Sequence, residues 1–300
     1  MKTITPKLDV VFEAKNHLGE TPIWVENEQA LYWINCEEPP QVHCYRPSSK
    51  EHRMWPMPQR IGGLAMKQGG GFLVALADGI YDFDSNSGKL AKRAASPLSS
   101  RASLHETAVD RQGRLWVGAM DMRTMALPAP AVPPTDAALC RMDGDKLIPV
   151  IPSISCSNGL AVSLDGRRLY HTDCPTGIVD MWDLDPATGS VSNKRELFRV
   201  PPQNCLVDGA TVDSEGGYWA CLVFMGVLRR YLPDNTLDLE VKLPISSPTK
   251  VVFGGPDMDT MFITSTDIEY GHPNRGGNMV GAIVSFKPGV KGVREPQVKA

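Results

Sequence analysis

Apolar residues in this chain gather in short runs of about four to eight, bounded by Gly, Pro, Asp and Asn, and helical periodicity is hard to find. Runs of that length with turn residues at both ends predict many short strands, and 27 glycines and 25 prolines in 300 residues supply the turns. One phrase recurs. Val207-Asp208-Gly209-Ala210-Thr211-Val212-Asp213 leads through Ser214-Glu215-Gly216-Gly217 into Tyr218-Trp219. Asn158-Gly159-Leu160-Ala161-Val162 runs through Asp165-Gly166 to Leu169-Tyr170, and Glu20-Thr21-Pro22-Ile23-Trp24 runs through Glu26-Asn27 to Leu31-Tyr32-Trp33.

Aligning each phrase on the last residue of its first strand gives Trp24, Met66, Val109, Val162 and Val212, followed by Tyr32, Leu73, Trp116, Tyr170 and Trp219. A sixth unit starts at Val252 and carries an insertion at 254–259 before Met261-Phe262-Ile263. Third strands follow, such as Gly79–Phe83, Gly177–Trp182, Gly226–Tyr231 and Gly281–Phe286, then a turn and an edge strand. A repeat of about 40 to 50 residues signals blades or a solenoid. Six four-stranded antiparallel units predict an all-β, six-bladed β-propeller as a single domain over residues 1–300, with Leu8–Phe12 as the outer strand of the last blade. Trp33, Trp116, Trp182 and Trp219 fall where packing between blades is expected. The Pro-rich segment Asp121–Pro134 interrupts the rhythm inside the third unit and reads as a long loop, either a lid over the channel mouth or a passive insertion.

In a propeller the first strand of every blade lines the channel, so one register position forms a ring. Four residues before the aligned position stand Glu20, Gly62, His105, Asn158, Asp208 and Pro248. Carboxylates and an amide converging there are costly without partners, by several kcal/mol. A bound cation removes the cost.

Net charge is −3, hydrophobic residues make up 42% and charged residues 22%, so the composition is that of a globular protein and offers no basic face for nucleic acid. The stretch Met1–Pro6 lacks the apolar core of a signal peptide, and no apolar run is long enough to cross a bilayer, so a cytoplasmic location with no membrane partner is expected. Seven cysteines without CxxC spacing are expected to be free thiols. His272, in the loop Tyr270–Gly277, reads as a loop histidine rather than a catalytic one.

The motifs Leu18-Gly19-Glu20-Thr21-Pro22-x-Trp24, Ser157-Asn158-Gly159-Leu160-Ala161, Val207-Asp208-Gly209 and Asp110-x-x-Gly113-Arg114-Leu115-Trp116-Val117-Gly118 together resemble the SMP-30/gluconolactonase/LRE (regucalcin) family over nearly the whole chain. The resemblance implies one divalent metal held by Glu20, Asn158 and Asp208, and hydrolysis of a small-molecule sugar lactone, with Asp208 also the general base. Hard oxygen ligands favour Ca²⁺, Mg²⁺ or Mn²⁺, with Zn²⁺ or Fe²⁺ as alternatives. The family also contains phosphotriesterase-like members and relatives without clear activity, so a phosphotriester hydrolase and a non-catalytic, metal-stabilised binding propeller are the alternative readings.

One stretch departs from the family. Where many lactonases carry Arg-x-Asn-Asp-Gly, this chain has Ser103-Leu104-His105-Glu106-Thr107. His105 is then a fourth ligand, a group that hydrogen-bonds substrate or moves a proton, or wall filling. Glu106 and Arg101 are assigned to the substrate-facing wall, with Arg101 recovering the missing Arg if the loop shifts. Asp121 and Arg123 are further candidates, Arg123 for an anionic group on the substrate.

Overall fold

The structure, a computed structural model, describes residues 1–126, 135–269 and 271–299. Its strands form six sheets, each built on four antiparallel strands, and the architecture is the predicted six-bladed β-propeller. Residues 127–134 of the expected lid and Tyr270 lie outside the described residues. The chain gathers into two compact units of three sheets each.

The first unit comprises Met1–Pro58 and Asn204–Glu295. Its sheets begin with the leading strands Gly19–Val25, Leu206–Val212 and Pro248–Gly254. Asp9–Phe12 pairs antiparallel with Ile283–Phe286, Asp9 opposite Ser285, and so supplies the outer strand expected of it. Lys2–Ile4 adds a fifth, parallel strand to Leu237–Lys242, a pairing that three residues of mixed character do not announce. Large aromatics fill the space between sheets: Trp219 meets Phe253 edge-on at 6.2 Å, and Trp24 stacks on Phe262 at 5.5 Å.

The second unit comprises Gln59–Gln203 and Pro296–Ala300, with leading strands Ile61–Met66, Ala102–Val109 and Ser157–Val162. Trp116, fully buried, packs with Leu139, Leu160 and Leu169, and Trp182 covers the same cluster from its edge. Val298 pairs with Lys67, pinning the C-terminal segment to the second sheet.

Two turns show how the repeat is locked. After the third leading strand, Asp110 Oδ1 accepts the backbone N–H groups of Gln112 and Arg114, both at 2.9 Å. Its Oδ2 accepts Arg114 Nε at 2.6 Å and Trp116 Nε1 at 3.2 Å. After the fifth, Asp213 repeats the arrangement with Glu215 N and Gly217 N at 2.9 Å, Trp219 Nε1 at 2.7 Å and Arg230 Nε at 2.6 Å. One carboxylate thus ties a turn, a tryptophan and an arginine together, and each of its charge-assisted bonds is stronger than a neutral one.

Candidate active site

The opposite end of each leading strand is built differently. All six carry a register shift there: between Glu20 and Ile23, Ile61 and Gly63, His105 and Thr107, Asn158 and Ala161, Val207 and Ala210, and Pro248 and Val251. Thr21, Glu106 and Gly159, the residues just after three of the ring positions, have φ of 44°, 53° and 64°. An extra residue in the ladder breaks the two-residue alternation and re-aims the side chain beside it. Non-glycine residues at positive φ are uncommon, and Thr21 and Glu106 hold theirs inside the bulge.

In the first unit Glu20 is buried, and its Oε2 accepts the Thr21 N–H at 3.0 Å. Asp208 is half-buried. The next residue is glycine for a packing reason, because a Cβ on Gly209 would lie 2.5 Å from Lys250 Cγ. The stem of Lys250, only 6% exposed, therefore lies across the backbone next to Asp208. Pro248, the ring residue of the sixth leading strand, is buried and brings no donor.

In the second unit the Asn158 amide turns its Nδ2 toward Cys174 Sγ at 3.6 Å and Cys156 Sγ at 4.0 Å, so its carbonyl oxygen faces the other way. Glu106 reaches across to the neighbouring leading strand, where its Oε2 accepts the Leu160 N–H at 3.1 Å inside the Asn158 bulge. That bond occupies one carboxylate oxygen and braces the strand that presents Asn158. Gly62 explains the gap in the ring at the second sheet: a Cβ there would fall on the Leu104 carbonyl and 2.7 Å from His105 Cα, so the strands approach too closely for any side chain.

His105, 6% exposed, is approached by Arg60, whose Nη2 lies 3.4 Å from Nδ1. A guanidinium only donates, so Nδ1 is the acceptor and Nε2 carries the ring proton. In this tautomer Nε2 is a hydrogen-bond donor.

The remaining candidates are paired with one another or with neighbours. Asp121, buried, accepts Arg123 Nε at 2.9 Å and Nη2 at 2.5 Å, and the hydrogen bonds from Arg123 hold its carboxyl down to about 2. Arg101, more than half exposed, forms an ion pair with Asp136. His272 stacks on Phe224 at 4.3 Å in the first unit. All seven cysteines are free.

By their chemistry, the Glu20 and Asp208 carboxylates of the first unit and the Asn158 amide oxygen of the second are donors of the kind a hard divalent cation takes. Among the described residues no three His, Cys, Asp or Glu side chains form a metal-holding group. Arg60 and Lys250 were missed from sequence. Each lies two residues from a ring position, Arg60 before Gly62 and Lys250 after Pro248, and a scan at that spacing flags both.

A family model for the SMP-30/gluconolactonase/LRE-like region matches residues 18–267. The chain is 31% identical to a 6-deoxy-6-sulfogluconolactonase of Pseudomonas putida over 96% of this chain and 97% of that one. It is 27% identical to a pentonolactonase of Haloferax volcanii, covering 85% of this chain and 84% of the relative. Among solved structures it is similar to a luciferin-regenerating enzyme, with a TM-score of 0.86 at 26% identity, covering 98% of this chain and 100% of that one. A calcium-binding protein, regucalcin, of Agrobacterium tumefaciens shares the fold with a TM-score of 0.89 at 21% identity and full coverage of both chains. With its ring residues standing on the motifs that suggested the resemblance, the chain belongs to the SMP-30/gluconolactonase/LRE-like family.

Proposed function

We propose that the protein is a metal-dependent lactonase that opens a sugar lactone, the activity for which the Pseudomonas putida and Haloferax volcanii relatives are named. The observation that carries the reading is the recurrence of Glu20, Asn158 and Asp208 at one register, each at or beside a β-bulge of its leading strand. In this reading those three residues hold one divalent ion, which supplies Lewis acidity toward the lactone carbonyl when bound. Family kinship with a protein described as calcium-binding and the hard oxygen donors favour Ca²⁺, Mg²⁺ or Mn²⁺.

The chain's own groups divide the remaining work. Asp208 takes a proton from the attacking water as its oxygen bonds to the ring carbonyl carbon. His105 Nε2–H donates to the carbonyl oxygen as negative charge builds there, while Arg60 on Nδ1 fixes that tautomer. Cleavage of the ring C–O bond then releases the alkoxide, which takes the proton back to give the open hydroxy acid. Glu106, through the Leu160 amide, keeps the Asn158 strand in register. The stem of Lys250 lies along the Gly209 backbone, next to Asp208.

Proton release from a panel of aldonolactones, before and after chelation and with single metals restored, tests the proposal. Metal-dependent opening of at least one lactone is expected. Rates no faster than spontaneous hydrolysis for every lactone and every metal would sink it. Metal analysis of Glu20→Gln gives a separate check, since unchanged occupancy contradicts the ligand set.

A further inference from the structure

Two thiols of the second unit meet at the side chain of Asn158. Cys156 stands two residues before it, at the start of the leading strand Ser157–Val162, and Cys174 opens the turn that follows the neighbouring strand Arg168–Asp173. Asn158 Nδ2 lies 3.6 Å from Cys174 Sγ and 4.0 Å from Cys156 Sγ, so both thiols turn toward one atom and share one face.

The backbone holds the two cysteines opposite each other. Ser157 pairs with Asp173, and the next pair outward is Cys156 with Cys174. The Cys174 N–H donates to the Cys156 carbonyl at 2.9 Å, while Asp173 Oδ1 accepts the Cys156 N–H at 2.9 Å and the Ser155 N–H at 3.0 Å. Antiparallel partners joined by a backbone bond have Cα atoms about 5.5 Å apart, inside the span of roughly 4.4–6.8 Å that disulfides occupy. Their Cβ atoms stand about 4.5–5.5 Å apart, whereas a disulfide takes about 3.8 Å. Closing an S–S bond here therefore draws the two segments together by roughly 1 Å, and the strain makes the bond easier to reduce again. Cys156 is half-buried and Cys174 is 5% exposed. The accessible sulfur meets a small oxidant first, and its neighbour completes the bond.

We propose that Cys156 and Cys174 form a reversible disulfide with hydrogen peroxide as oxidant, and that this bond weakens the metal site through Asn158. The Cys156 sulfur attacks one peroxide oxygen and the O–O bond breaks, leaving a sulfenic acid and one water. The Cys174 sulfur then displaces the sulfenic hydroxyl, so the S–S bond forms and a second water leaves. In sum two thiols give up two protons and two electrons, and the peroxide is reduced to two waters. The new bond turns the sulfurs toward each other and pulls on the backbone beside Asn158, so the amide loses the contacts that aim its carbonyl oxygen. The effect on the site rests on the metal reading of Asn158, and the bridge itself does not.

The test starts from full-length, metal-free protein treated with hydrogen peroxide, alkylated with iodoacetamide and digested with trypsin without reductant. Cleavage after Lys146, Arg167, Arg168 and Lys194 places Cys156 on peptide 147–167 and Cys174 on peptide 169–194. Mass spectrometry is expected to find these two peptides joined, two hydrogens lighter than their sum, and separated again by dithiothreitol. Calorimetric titration with Ca²⁺ or Mn²⁺ should show affinity about tenfold or more weaker in the oxidised protein, as when a group that orients a metal ligand is lost, with recovery on reduction. In Cys156→Ser, treated and untreated protein should bind the metal alike. Peptides that stay separate after peroxide, or a link that leaves metal affinity unchanged, overturn the proposal. If neither form binds metal, the metal reading of Asn158 and the switch fall together, and the joined peptides still decide the bridge.

Discussion

The two ends of a leading strand obey different rules. At the turn end, Asp110 in the second unit and Asp213 in the first make the same network of two backbone amides, one tryptophan and one arginine, with equal amide and arginine distances and a shorter tryptophan bond at Asp213. At the bulged end, the residues in the equivalent position are a glutamate, a glycine, a histidine, an asparagine, an aspartate and a proline. In these two strands the turn end meets one structural problem with one solution. The bulged end keeps its backbone irregularity in every blade while its side chains differ, as a site assembled from unlike groups requires.

The contrast breaks most visibly if the two ends exchange their phenotypes on mutation. Asp208→Asn is expected to lower lactone turnover by about 10²–10⁴-fold, the usual worth of a general base, with little change in the urea midpoint. A variant that turns over normally removes the base assignment. Asp213→Ala should do the reverse, costing about 3–5 kcal/mol because it strips the inner partner from Arg230, a side chain 5% exposed. Urea unfolding measures that loss, and the protein that remains folded should keep its activity.

A pH-dependent effect sharpens the picture. Burial, and then the nearby His52, lowers His43 to about 3, and burial, then Lys194, lowers His171 to about 3. Both refuse a proton that the unfolded chain accepts near 6.5. Their contribution is therefore complete above about pH 6.5 and drains as pH falls toward 3, by about 1.4 kcal/mol per pH unit for each histidine. Urea midpoints at pH 7, 5 and 4 should fall in that order, and a flat profile contradicts the assignment. His171 Nε2 lies 2.9 Å from Ser157 Oγ, beside Asn158, so acid should loosen the bulged end of the fourth leading strand first. Asp110→Ala should have the smallest effect, about 1–3 kcal/mol, since Arg114 is more exposed and also donates to the Pro186 carbonyl. A loss equal to that of Asp213→Ala would mean that burial of the arginine does not set the strength of these networks.

The fold was legible because its signal is periodic. Each aligned residue, Trp24 through Val252, falls in a leading strand, and even the outer strand Asp9–Phe12 was readable from Val10-Val11-Phe12. The ring positions followed from the same register. The directions of side chains outside the ladder were not legible. Arg101 and Arg123 looked like substrate residues by position, yet each lies beside an aspartate that spacing cannot weigh, Asp136 far along the chain and Asp121 two residues back. Arg60 and Lys250 escaped notice because strict alternation fails at a bulge, and the bulges themselves leave little trace in sequence except Gly159. The family resemblance added the metal and the reaction, which no periodicity supplies.

The pairing of Asp9–Phe12 with Ile283–Phe286 also sets a timetable for synthesis. Nearly the whole chain separates Asp9 from Ser285, so on a ribosome adding about 5–20 residues per second the strand waits on the order of tens of seconds for its partner. Throughout that interval Val10-Val11-Phe12 is an unpaired apolar edge, the kind that recruits another chain. Lys7, Glu13 and Lys15 stand on either side of it. Their charges guard a nascent strand that the finished molecule no longer needs to protect, and neutral residues in their place should lower soluble yield without touching the purified enzyme's rate.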